Sequence, residues 1–194
     1  FAYGKTENAA LQACTGDILI QQNLDERFRV SPERLAYLYE ILRTRPEIAA
    51  FWVPTIDLYG AADRYLPPHG KKWYIHRRGL FRGAVGFGIK EDGRPDYSVT
   101  STDELLGPDG NLVLTAAILK DNTLEGLQAY VAEGWPVSYH VGYLSFNERI
   151  SRSLWWKKRW EAWTGDANKH PTSVEEIANR ETKPHGLPLW EPQP

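Results

Sequence analysis

The sequence predicts an α+β domain, and three observations carry that prediction. Short strand-like segments alternate with helical stretches and strong turn signals. Hydrophobic residues make up 42% of the 194 and charged residues 25%, which is globular composition with enough chain to bury a core. Glycines recur inside one apolar run, Leu80–Ile89, as they do where a sheet bends, bulges or meets another backbone.

Taken in order, residues 1–16 fit a weak helix or a flexible arm equally well, and Asp17–Gln22 reads as a short strand. Ser31-Pro32-Glu33-Arg34 is a helix start. Ser31 can cap, Pro32 suits the first helical position, and Glu33 complements the dipole. Leu35, Leu38, Tyr39 and Leu42 follow at helical spacing, and Pro46 stops the helix. Ala49–Pro54 reads as a short buried strand and residues 55–70, rich in Gly, Pro and Asp, as a connecting loop.

Lys72–His76 alternates like a strand, and Arg77-Arg78-Gly79 turns it into Leu80–Ile89 as a hairpin. Tyr97–Ser101 fits another strand, and the Pro108–Asn111 turn leads into strand Leu112–Leu119. Asn122 or Thr123 can cap a helix over Leu124–Ala132 that ends at Gly134. Strand Val137–Phe146 and helix Arg149–Trp163 follow, then a short helix near Thr172–Glu176 and an irregular Pro-rich tail over Lys183–Pro194.

Bulk properties exclude several classes. A lone Cys14 permits no intrachain disulfide and suits a reducing compartment. No apolar run approaches the ~20 residues of a membrane span. No charged-then-apolar leader stands at Phe1. A cytoplasmic location with no membrane partner is therefore expected. The chain has no methionine, an initiator included, as expected of a processed chain or of a piece of a longer one. Net charge is −2 and the pI about 6.2, so overall electrostatics do not announce a nucleic-acid binder. Cationic residues nevertheless cluster at Lys71, Lys72, His76, Arg77, Arg78 and Arg82, and again at Arg149, Arg152, Lys157, Lys158 and Arg159. Such asymmetry allows a basic face on a slightly acidic protein.

Catalytic and cofactor motifs are missing. There is no phosphate loop, no GxGxxG, no GxSxG elbow and no HExxH pair. His69 and His76 have no cysteine or clustered carboxylate near them in sequence, so no metal site is expected. Cys14 reads as a small buried apolar group. These absences predict a chain that binds, with no catalytic residue and no cofactor of its own.

Phe51–Ile89 (FWVPTIDLYGAADRYLPPHGKKWYIHRRGLFRGAVGFGI) resembles the core of PUA-like domains, particularly the EVE type: an aromatic strand, a loop, a strand entering at a glycine turn, and a glycine-rich returning strand. Gly70-Lys71-Lys72 stands where Gly-Asp is usual in that family. The order of later elements to about residue 163 also suits it. The implied division is an N-terminal extension over residues 1–48, a PUA-like core over 49–165, and a C-terminal helix and tail over 166–194. The fold it implies is a strongly bent sheet or barrel flanked by helices.

The function the resemblance implies is a reader of nucleic acid, expected to be double-stranded DNA, that holds a flipped, modified base in an aromatic pocket. A modification-dependent restriction system is one setting, and its nuclease would then be another segment or subunit. Unstacking a base costs a few kcal/mol, which stacking on aromatic rings at roughly 1–3 kcal/mol per base can offset. Eight tryptophans and ten tyrosines exceed what a core of this size needs. The expected pocket walls are Trp52, Trp73 and Tyr74, then Trp135 and Tyr139. Lys71, Lys72, Arg77, Arg78 and Arg82 are the expected contacts to the nucleic-acid backbone. The alternatives are core packing for each aromatic residue and a solvated face for the cations.

A second likeness points elsewhere. Leu80-Phe81-Arg82-Gly83 followed by Ser98-Val99-Thr100-Ser101-Thr102 is similar to the arginine and Ser-Thr-Ser signatures of ADP-ribosyltransferases. It implies a nucleotide pocket around Arg82 and Ser98–Ser101. No Glu-x-Glu follows, since Glu125, Glu133 and Glu148 are each isolated. A third reading is an assembly subunit that anchors its interface on tryptophans.

Overall fold

A ten-residue strand, β3 (Ala50–Tyr59), organises the fold. The structure, a computed structural model, describes residues 9–82, 88–89, 95–96, 105–106, 114–164, 176–177 and 180–188. Residues 9–13 are helical. Next come β1 (Ile18–Ile20), β2 (Glu26–Arg29), α1 (Pro32–Thr44), β3, β4 (Ala61–Tyr65) and β5 (Gly70–Arg77). Four two-residue strands follow: β6 (Phe81–Arg82), β7 (Gly88–Ile89), β8 (Pro95–Asp96) and β9 (Leu105–Leu106). The remainder comprises β10 (Thr115–Ala117), α2 (Leu124–Ala132), β11 (Val137–Tyr143), α3 (Phe146–Thr164) and β12 (Lys183–Pro184).

The main sheet is mixed, with the order β1-β5-β3-β11-β2; β4 and β10 attach to β3, and β12 to β4. On one side β3 runs antiparallel to β5 from Ala50 to Thr55, then to β4 at Leu58 and Tyr59. On the other it runs parallel to β10 at Ala50–Trp52, then to β11 from Thr55. Both flanks therefore change neighbour partway along, and the sheet curls into a half-barrel. The α+β class with a bent sheet is thus observed. Pro54 has no N–H to give to a ladder. It falls where β3 leaves β10 and has not yet met β11.

Alternation along β3 separates two faces. Phe51 and Val53 pack with Leu38 and Leu42 of α1 and with Ile75 of β5. Farther along the same face, the Arg149 guanidinium of α3 lies 4.7 Å over the Tyr59 ring. Ile56 and Leu58 point the other way, into a cluster with Leu127, Tyr130 and Val131 of α2 and Val137 and Tyr139 of β11. Ile56, Leu127 and Val137 are completely buried. Each such side chain stabilises the fold by about 1.5–3 kcal/mol relative to exposure. Every residue of β3 is buried except Trp52 and Asp57.

Helix ends follow their local signals. Ser31 caps α1 by accepting the Arg34 N–H at 3.2 Å, and Thr123 caps α2 by accepting the Gly126 N–H at 3.0 Å. Gly134 closes α2 at a φ of +83°, and Gly79 takes +81° in the turn after β5. Glycine suits this left-handed region because it has no Cβ to clash.

Other expectations are corrected. Residues 55–70 are not a loop, because β3 continues to Tyr59, turns at Gly60 and returns as β4. Ile56 and Leu58 supply the buried alternation that Pro54 and Gly60 masked in the sequence. The hairpin joining Lys72–His76 to Leu80–Ile89 is absent among the described residues: β1 and β3 occupy both edges of β5, and β6 pairs with β9. The strand expected over Val137–Phe146 ends at Tyr143, and α3 begins at Phe146. Within the expected tail, β12 pairs with β4 and Leu187 is buried against the α2 cluster. Cys14 is exposed, not buried, and its thiol donates to the Ala10 carbonyl oxygen at 3.3 Å. The Tyr97–Ser101 strand and residues 172–175 of the last expected helix lie outside the described residues. No described helix is long and apolar enough to cross a membrane.

Candidate functional site

The two partly open positions of β3 mark two different environments. At Trp52 the surroundings are apolar and hollow. A cavity of about 330 Å³ is lined by Trp52, Pro54, Pro68, His69, Ala117 and Asn122, with Gly70 and Leu119 completing the wall. It sits beside the fork where β10 departs from β3, and no described side chain fills the space there. The indole is held in place by its Nε1–H, which donates to Thr115 Oγ1 at 2.8 Å. Burial depresses the pKa of His69 below its ordinary 6.5, so its ring is neutral at pH 7 and can both donate and accept a hydrogen bond. Asn122, just before the Thr123 cap, adds an amide with the same dual capacity. Among the described residues, no polar side chains besides these two and the anchored indole line the wall.

At Asp57, in contrast, the site is filled with charge. His140 of β11 is the register partner of Asp57, and its Nδ1 lies 2.8 Å from Asp57 Oδ1. Its Nε2 lies 3.0 Å from Oδ2 of Asp25, which stands just before β2. Arg152 of α3 donates to the same Asp25 oxygen, and its second terminal nitrogen is 3.2 Å from His140 Nε2. The Tyr143 ring packs edge-on against the imidazole at 5.0 Å. Gly142 leaves room for the arginine, since a Cβ there would stand 2.7 Å from the Arg152 guanidinium.

Burial disfavours a charged His140, but hydrogen bonds and charges from Asp57 and Asp25 outweigh it and raise the ring's pKa above 6.5. Burial likewise disfavours the Asp25 anion, yet Arg152 and His140 hold its pKa below 3.8. In its protonated state the imidazole turns an N–H to a carboxylate on each side, which leaves no lone pair for general-base chemistry. This cluster acts as a charged tie between elements. Among the described residues, no group of three or more His, Cys, Asp and Glu is placed to hold a metal ion.

The aromatic residues expected to form one pocket are dispersed. Trp52 lines the cavity, and the register pairs Trp73 directly with it. Tyr74 is the extra residue of a bulge between the Phe51–Ile75 and Trp52–Trp73 pairs. The side chains of Lys71, Lys72, Trp73, Tyr74 and Arg82 lie outside the described residues. Trp135 is absent from the cavity wall and packs between α1 and α2. Tyr130 stacks on it at 6.2 Å, Tyr37 meets it edge-on at 5.9 Å, and the Arg34 guanidinium covers it at 4.2 Å. Tyr139 belongs to the α2 core and donates its hydroxyl to the Pro188 carbonyl oxygen at 3.0 Å.

The cations at the end of β5 and in the turn after it make structural bonds. Arg77 donates to the Arg45 carbonyl oxygen, and Arg78 to that of Thr15 at 2.9 Å. Arg78 remains exposed. Ser98–Ser101, on which the ADP-ribosyltransferase likeness depends, lie outside the described residues. Sequence reasoning passed over Asn122 as a binding residue and missed Asp25, Asp57 and His140 altogether. Only the alternation of Ile56 and Leu58 could have placed Asp57 on a strand.

No protein-family model matches the chain, and no curated protein or solved structure is significantly similar to it.

Proposed function

We propose that the protein is a non-catalytic nucleic-acid reader that takes a flipped, modified base of duplex DNA into the cavity beside Trp52. One observation carries this reading: an aromatic residue anchored by its own N–H lines a cavity of about 330 Å³ whose other described lining is apolar except for an amide and a neutral imidazole. That is the composition a base requires, with an aromatic ring for stacking and a few polar groups for its edge. Asn122 and His69 read the edge, and Ala117, Leu119 and Pro54 accept an added alkyl group. Exposed Arg78, with Lys71 and Lys72 on the neighbouring strand, supplies the salt-dependent contact to the backbone. Cleavage, where it accompanies recognition, belongs to a nuclease elsewhere.

The test is a fluorescence titration with short duplexes containing cytosine, 5-methylcytosine or 5-hydroxymethylcytosine at two salt concentrations. One modified duplex is expected to bind tightest, and Trp52→Ala to weaken that binding about tenfold or more while the protein stays folded. Absence of binding to any duplex or single strand, even at low salt, overturns the proposal.

A further inference from the structure

His140 Nε2 has two incompatible neighbours. Asp25 Oδ2, at 3.0 Å, can only accept a hydrogen bond. Arg152, with a terminal nitrogen at 3.2 Å, can only donate one. The ring nitrogen satisfies the first when it carries a proton and the second when it does not. The two neighbours belong to different elements, Asp25 to the approach to β2 and Arg152 to α3. Asp57 on the far side of the ring is served by Nδ1–H in either state.

We infer that His140 is a protonation-controlled switch: protonated, it ties β11 to the β2 edge through Asp25, and neutral, it ties β11 to α3 through Arg152. The groups around the ring account for both states. Asp25 faces it from the residue before β2, Asp57 from β3, Tyr143 from its own strand, and Arg152 from α3, while Glu26, its register partner on β2, is buried with its carboxylate bonded to Asn23. Arg149, the next cation on α3, is turned away over the Tyr59 and Phe146 rings. In the protonated state Arg152 remains bound to Asp25, so α3 stays seated. In the neutral state Asp25 loses the imidazole donor, while Arg152 gains an acceptor on β11. The β2 edge is the element that loosens. It depends on this corner, since the Val141 N–H donates to the Asp25 carbonyl oxygen at 2.8 Å and β2 pairs with β11.

The sign follows from linkage. A ring whose pKa is raised in the fold contributes its full stabilisation below about 6.5 and loses it as pH rises through the folded value.

Two measurements on the full chain test the switch: the NMR titration of the His140 ring, and amide hydrogen exchange of β2 and α3 from pH 6 to 9, corrected for intrinsic exchange. Exchange in β2 is expected to accelerate about tenfold with the midpoint of the ring, while the first half of α3 changes less than about twofold. Asp25→Asn should move the ring midpoint down and Arg152→Gln should move it up, each by about one pH unit. Should one variant fail to fold, the other and the wild-type titration still decide. Acceleration of β2 and α3 together, no response of β2 while the ring titrates, or variant shifts in the same direction overturns the inference.

Discussion

The two ends of β3 solve opposite problems with one strand. At Trp52 the strand loses its β10 neighbour, and the fold leaves an apolar hollow with one indole held at its wall. Five residues on, at Asp57, the same backbone gains β11 and encloses a network in which each charge has a partner. The hollow end is suited to take in a ligand. The charged end joins four elements, and its side chains are already bonded to one another. A partly exposed residue in a buried strand is therefore not in itself a sign of function; what fills the space beside it decides.

This contrast can be broken at several points. The largest effect is expected for His140→Ala, which leaves Asp25 and Asp57 facing a gap. We expect a loss of about 2–3 kcal/mol at pH 6, measured by urea denaturation, because charged hydrogen-bonding groups lose their donor without regaining full hydration. A loss below about 0.5 kcal/mol would show that the cluster is a solvated surface feature. Gly142→Ala places a Cβ against the Arg152 guanidinium and should cost about 1–2 kcal/mol. In a double-mutant cycle with Arg152→Ala the two losses should be far from additive, since each removes the same tie.

The hollow end should respond less. Trp52→Phe keeps an aromatic wall and removes only the Nε1–H bond to Thr115, so its stability cost should be about 1 kcal/mol. A cost comparable to that of His140→Ala would mean that the cavity end is as tightly built as the charged end. The smallest effect is the pH dependence. Wild-type stability should decline as pH rises above 6.5 through the raised His140 value, and also as pH falls below 3.8 toward the depressed Asp25 value. The His140→Gln variant should lack the alkaline decline. An alkaline decline of equal size in that variant would assign it to other groups.

Features fixed by a few adjacent residues were legible in the sequence. Ser31-Pro32 starts α1 and Thr123 starts α2 where the caps indicate, and Gly134 and Gly79 close their turns. Trp52 lies on the strand that its neighbours Ala49–Pro54 indicate. Features fixed by pairing over long distances were not. Nothing near His140 indicates that its partners are Asp57, 83 residues away, and Asp25, 115 residues away. The second half of β3 was concealed by Pro54, which argues against a strand unless one knows that it sits between two neighbours. Trp135 and Tyr139 carried the right chemistry for a base pocket, but the register that sends Tyr139 into the α2 core is a property of the whole sheet. The same holds for β12, a strand in a Pro-rich tail that exists because β4 presents an edge to it.

The pairing of β2 with β11 has a kinetic consequence. Residues near position 26 must wait for residues near position 140 before either strand has this neighbour. Closing so long a loop is entropically costly, and contacts of this range slow folding more than they affect final stability. A chain emerging from the ribosome would hold the whole of β3 ready, yet could not complete the sheet around it until the residues after α2 had been made. During that interval the flank of β3 from Thr55 to Tyr59 presents unpaired backbone groups, a natural client for a chaperone.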